Sequence, residues 1–254
     1  MNLELRPSER DQLKRLEGHA DALLGRVVGL HIQIGLVDPL LKDTEPLLPP
    51  PDHRRFSGGL IALRESVVRG CILDFVGSVA DSDNRTPTLE RLARDLEDAG
   101  VVRVLRKGAE LDAIHALPDL REDSTFMDGE RTTAITRFES QLSEFRTAWE
   151  AFAARSLTDE LKKVRDKVIA HRELEKSEDS YRFVSPSGLD VSWAQFKEEA
   201  LLLGELCELV GLVVLRAHFL FAHENEGFLD AGRGLWEQLG VVPTRPSEEP
   251  FRHP

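Results

Sequence analysis

The chain has 254 residues, 41% hydrophobic and 31% charged, with 33 Lys and Arg against 45 Asp and Glu, a formal net charge of −12. A chain of this length buries roughly 70–75% of its unfolded surface, so it needs neither disulfides nor a structural metal to build a core, and its composition excludes a disordered polymer. The acidity excludes broad, non-specific DNA binding, which depends on Lys and Arg neutralising many phosphates.

The start, Met1 to Asp11, is polar and lacks the apolar centre of a secretory signal. No apolar run approaches the roughly 20 residues that span a bilayer. A cytoplasmic protein with no membrane contact is the expectation. Cys71 and Cys207 stand far apart in apolar helical patterns and form no Cys-x-x-Cys pair, so they read as two buried thiols.

Ser8-Glu9-Arg10-Asp11 resembles a capping box and predicts a first helix from Ser8, with Leu13, Leu16, Ala20, Leu23, Leu24, Val27, Val28 and His31 at helical spacing. Pro39, Pro46 and Pro49-Pro50-Pro51 then predict a stiff, non-helical connection. A second helix is expected over 57–80, with an apolar stripe of Leu60, Leu63, Val67, Cys71, Phe75 and Val79, and Arg64 and Arg69 outside it. Thr86-Pro87 is expected to cap the next helix, which carries Leu89, Leu92, Ala93 and Leu96 and is interrupted at Gly100. Residues 119–130 read as an acidic loop, and 130–154 as a long helix marked by Phe138, Leu142, Phe145 and Phe152. Ser156-Leu157-Thr158-Asp159 opens a helix over 157–172, and the charged stretch 173–180 reads as a loop. The residues around Ser185-Pro186-Ser187-Gly188 leave room for one small β-hairpin near 181–191. Ser192-Trp193-Ala194-Gln195 is a capping box before the last long helix, which is expected to end near Ala222. These elements predict an all-α helical bundle: one helical domain over 1–223 with its core in 57–222, then a short helix and a proline-rich tail over 224–254.

One stretch carries chemistry. On a regular helix, Leu157, Leu161, Val164 and Val168 form a narrow apolar stripe, with Arg165 on one flank and His171 on the other. Those two are roughly 120° apart around the axis and about 9 Å apart along it, so one helix does not easily aim both at one small ligand. Two copies of the helix meeting across a two-fold axis would bring them together. From Glu160 to Glu173 five basic residues (Lys162, Lys163, Arg165, Lys167 and Arg172) face three acids, which gives a local surplus of +2 suited to an anion.

The run Arg165-Asp166-Lys167-Val168-Ile169-Ala170-His171 resembles the signature of the HEPN superfamily, an Arg followed by a polar residue and then His. The longer form, Val164 to Arg172, is similar to its AbiU-like abortive-infection branch, and the resemblance extends over residues 57–222. It implies a helical bundle that dimerises with its motif helices facing. It also implies a metal-independent endoribonuclease of a phage-defence or toxin–antitoxin system, using no cofactor, in which the RNA 2′-hydroxyl attacks the adjacent phosphate. Carried over, His171 is the general base or acid, Arg165 holds the phosphate and its developing charge, and Asp166 orients one of them. Lys162, Lys163, Lys167 and Arg172 would bind RNA, and an antitoxin or regulatory protein is a further expected partner. The alternative is a non-catalytic helical protein that binds a nucleotide, an RNA or a partner through the same seam. In the blandest case Arg165 only snorkels and His171 only caps a helix end.

Two other clusters read structurally. His218 and His223, five residues apart, lack the i,i+4 spacing of helical metal pairs. Arg103, Arg106 and Lys107 read as a solvated face.

Overall fold

The computed structural model describes residues 4–41, 58–81, 86–116, 124–166, 174–177, 180–183, 191–218 and 221–242. The described residues form eight helices and one short hairpin, an all-α bundle. The connection holding Pro46 and Pro49–Pro51, and the tail from Pro243, lie outside them.

Helix α1 (Pro7–Val37) runs through the centre. Pro7 sits at its first position, where a missing N–H costs nothing. Glu9 reaches back to accept the Arg6 backbone N–H at 2.9 Å and the Arg6 guanidinium at 2.7 Å, so the cap is Arg6 with Glu9 rather than Ser8 with Asp11. Leu16, Ala20, Leu23, Val27, Leu30 and Ile34 are buried at three- and four-residue spacing. Pro7–Leu40 contains an 18-residue window of mean hydropathy 1.4, enough by length and composition alone to cross a membrane, although Asp21 and Arg26 interrupt the apolar part of the helix. Here that surface packs against α2 (Gly58–Val79), α7 (Trp193–Val210) and α8 (Phe221–Gln238). Asp38–Leu40 closes α1 with a 3₁₀ turn, and Asp38 Oδ1 accepts from Trp193 Nε1 at 2.8 Å and from Lys197 Nζ at 2.7 Å.

In α2 the buried stripe is Ile61, Arg64, Val68, Cys71, Ile72, Phe75, Val76 and Val79. The expected stripe is therefore rotated: Leu63 is 43% exposed and Arg64 only 3%. Both cysteines are free and buried, and burial pushes both thiol pKa values up. Helix α3 (Leu89–Asp95) is capped by Thr88, whose Oγ1 accepts from Arg91 N, two residues after the expected cap at Thr86. The break before α4 (Ala99–His115) falls at Leu96–Asp98, where Asp98 accepts the Gly100 and Val101 N–H groups. Gly100 thus opens a helix instead of interrupting one. Helix α5 (Ser124–Ala153) begins six residues before the expected start and takes up part of the supposed acidic loop. It pairs with α4.

The hairpin is β1 (Leu174–Ser177) with β2 (Ser180–Phe183), antiparallel, with Leu174 opposite Phe183 and Ser177 opposite Ser180. It lies earlier than the expected 181–191, and the stretch 173–180 read as a loop supplies its first strand. Ser185–Gly188 lies outside the described residues. The capping box of α7 is as expected, with Ser192 Oγ accepting from Gln195 N and Gln195 Oε1 from Ser192 N.

Helix α7 does not continue to Ala222. It widens into a π-type turn at Gly211–Leu215, and Arg216 turns the chain in the left-handed region at φ 57°, ψ 25°. Helix α8 then begins at Phe221 and packs along α1, so the division expected at 223/224 falls in its first turn. Trp236, in its last turns, donates from Nε1 to Leu36 O at 2.6 Å.

Candidate functional site

Helix α6 (Leu157–Val164) carries the motif's first residues. Asp159 and Glu160 lie in its first turn and Lys162 and Lys163 in its last, the order that complements a helix dipole. Leu161 and Val164 are fully buried, and the helix packs on α2. Regular helix gives way after Val164, and the remainder of the stretch expected to be helical to 172 lies outside the described residues from 167 on. The Arg165 N–H is shared between the Leu161 and Lys162 carbonyls, and Arg165 and Asp166 form a wider turn.

At this turn Arg165 Nε donates to Asp166 Oδ1 at 2.7 Å. The Arg165 side chain is 23% exposed and Asp166 53%, so the pair sits at the solvent edge of a buried stripe. Asp166 is the ion-pair partner of Arg165 among the described residues, and it engages the guanidinium through Nε. Lys162 lies 3.5 Å from Asp159, and Lys163 is exposed. Lys167, His171 and Arg172 lie outside the described residues. The expected relation of 120° and 9 Å between Arg165 and His171 presumes a regular helix, which the widened turn at Arg165 already leaves.

Beside the other end of α6 stands a cluster that sequence reasoning missed. Arg155 bridges Glu198 at 3.1 Å and the buried Glu199, which it meets through Nε. The hydrogen bond to Glu199 holds the Arg155 pKa above its ordinary value. These residues line a cleft of about 580 Å³ with Ser156 and Glu160. A signal existed: Glu199 falls on the apolar stripe between Phe196 and Leu203, where only a paired acid is tolerated.

Two of the other basic candidates are held in ion pairs. Arg106 pairs with Glu139 at 3.5 Å, and Lys107 with Glu9 at 3.3 Å. His218 is exposed beside Arg137 and Arg216 in a cleft between α4 and α5, and the His223 side chain lies outside what is described. Among the described residues no three His, Cys, Asp or Glu side chains converge to hold a metal ion.

Against known proteins, the HEPN family model described as AbiU2 matches residues 51–230, a span that contains α2 through most of α8 and the whole Arg165–His171 run. No curated protein and no solved structure matches the chain.

Proposed function

The chain belongs to the AbiU2 family of HEPN domains, and from that premise we propose that it is a metal-independent endoribonuclease of a phage-defence or toxin–antitoxin system. It acts in the cytoplasm as a homodimer, with Arg165, Asp166 and His171 of each protomer at the seam. The observation that carries this reading is the Arg165–Asp166 pair. A guanidinium is fixed through Nε by a neighbouring carboxylate, at the solvent edge of the turn that follows an amphipathic helix whose Leu161 and Val164 are buried.

In this reading the terminal guanidinium nitrogens of Arg165 bind the scissile phosphate in the bidentate way that suits a planar fork. His171 takes the proton from the 2′-hydroxyl, or gives one to the departing 5′-oxygen, because imidazole titrates near neutral pH. The 2′-oxygen bonds to phosphorus as the 5′-oxygen leaves, so the products end in a 2′,3′-cyclic phosphate and a 5′-hydroxyl. Asp166 acts through Arg165 and is a positioning residue.

Incubating the full chain with single-stranded RNA in EDTA tests this. Cyclic-phosphate ends are expected, with a loss of about 10²-fold or more in His171→Ala and a comparable loss in Arg165→Ala. Asp166→Asn should cost about tenfold through a mispositioned guanidinium, chiefly in kcat. Cleavage that persists unchanged in His171→Ala would rule this assignment out, and RNA bound by the full chain without cleavage would leave the non-catalytic binding reading in its place.

A further inference from the structure

We propose that the groove between α5 and α7 docks a basic, amphipathic helix of a partner protein. Its floor is apolar: Ala148 and Phe152 from α5 face Leu202 and Leu206 from α7. Its rim is acidic, formed by Glu144, Glu205 and Glu208, and the groove holds about 510 Å³. At Arg155 it runs into the cleft lined by Glu160, Glu198 and Glu199. The two linings together hold six carboxylates and one guanidinium, Arg155, which pairs with Glu198 and Glu199.

Two of those acids have a buried oxygen with no hydrogen-bond partner among the described residues. Glu199 is 3% exposed and meets Arg155 through one oxygen, while its Oε2 is buried without a hydrogen-bond partner. Oε1 of Glu208 is likewise buried and unpartnered. Buried carboxylate oxygens left without donors are costly, and Lys or Arg from an occupant would supply them. The charge excludes RNA from this face and selects a cationic partner; the floor requires that partner to carry an apolar stripe as well. From Gln195 to Leu209 the α7 side measures about 21 Å, which matches about four helical turns. An occupant of that length ends against Ser156 and Glu160, at the start of α6, which leads into Arg165.

The proposal does not depend on RNA cleavage, because its test reads binding alone. The probe is a fluorescein-labelled peptide of about 14 residues, with Leu on one helical face and Lys on the other, compared by anisotropy with a version in which Glu replaces Lys. The Lys peptide should saturate the full chain and the Glu peptide should not. Glu144→Lys with Glu205→Lys, both exposed, should weaken binding about tenfold or more through like-charge repulsion. Glu224→Lys with Glu226→Lys on α8, an equal change in net charge, should alter it by less than about twofold. Equal losses in both pairs, or equal binding of the two peptides, would overturn the proposal, as would no binding by either peptide. Sedimentation is the last arm: self-association abolished by the groove pair would make the occupant a second copy and also overturn it.

Discussion

Arg216 occupies a conformation that glycine normally fills. At φ 57° its Cβ is crowded against the backbone, which costs a non-glycine residue roughly 1–2 kcal/mol. Its side chain offsets that cost: Nε donates to Asp112 of α4, Nη2 to Glu17 of α1 at 2.6 Å, and Nη1 to Val214 O at 2.9 Å. Both Arg216→Gly and Arg216→Ala lose these bonds, but only glycine relieves the backbone. Urea unfolding should therefore find the alanine variant about 1 kcal/mol less stable than the glycine variant; equal stabilities would remove the strain argument. His31, buried between α1, α7 and α8, gives a second residue-level test. Its Nδ1 lies 2.8 Å from Asn225 Oδ1 and its Nε2 3.1 Å from Ala200 O. Burial nonetheless lowers its pKa below the ordinary value. The sign follows directly: below about pH 6.5 the unfolded chain takes up a proton that the folded chain resists, so stability falls as pH drops from 7 towards 5. His19, lowered first by burial and then by Arg91 and Arg15, acts in the same direction. Asn225→Asp places a carboxylate beside the ring, raises its folded pKa and should flatten that fall. An unchanged pH profile in this variant would exclude His31 as its source.

At the level of elements, two helices meet at glycines. A Cβ built on Gly232 of α8 collides with the Gly35 carbonyl oxygen of α1, and one on Gly35 collides with the Phe228 carbonyl. Gly232→Ala must push the helices apart and should cost about 2–3 kcal/mol. Gly25→Ala, at an exposed α1 position with open space around it, should instead stabilise by about 0.5–1 kcal/mol. Chemical denaturation of the two variants checks both signs. The same contrast explains what the sequence could show. Caps are local, so Ser192 with Gln195 was legible from four residues. Helix α2 was legible as a helix but not in its facing, because Leu63, Val67, Val68, Ile72 and Leu73 make it apolar on most sides and only tertiary packing decides that Arg64 goes inward. The end of α7 was hidden because Arg216 does the work expected of Gly or Asn. At the candidate site, Arg165 with Asp166 is a neighbour pair and could be read directly. Arg155 with Glu199 joins residues 44 apart, which no periodicity reports.

At the scale of the whole molecule, the opposing charges make a quantitative claim. A chain of net −12 repels RNA except where its basic residues gather, and the stretch from Glu160 to Glu173 carries five of them. Each phosphate that a Lys or Arg neutralises releases condensed counterion, which contributes about 0.7 to the slope of log K against log salt for single strands. The five cations of one protomer therefore set a slope no steeper than about −3.5, and a symmetric pair of sites about −7. Lys162 and Lys163 lie in the last turn of α6, beside Arg165, so replacing both by Gln should flatten the slope by about 1.4 for each site and weaken binding at low salt. The measurement uses His171→Ala, which on the proposed mechanism keeps the RNA intact, titrated by anisotropy across a range of KCl. Arg103→Gln with Arg106→Gln, on the separate face where Arg106 pairs with Glu139, should leave the slope in place. If that remote pair flattens it as much as Lys162 and Lys163 do, RNA follows the overall charge of the protein, and the stretch around Arg165 loses its claim to be where the strand lies.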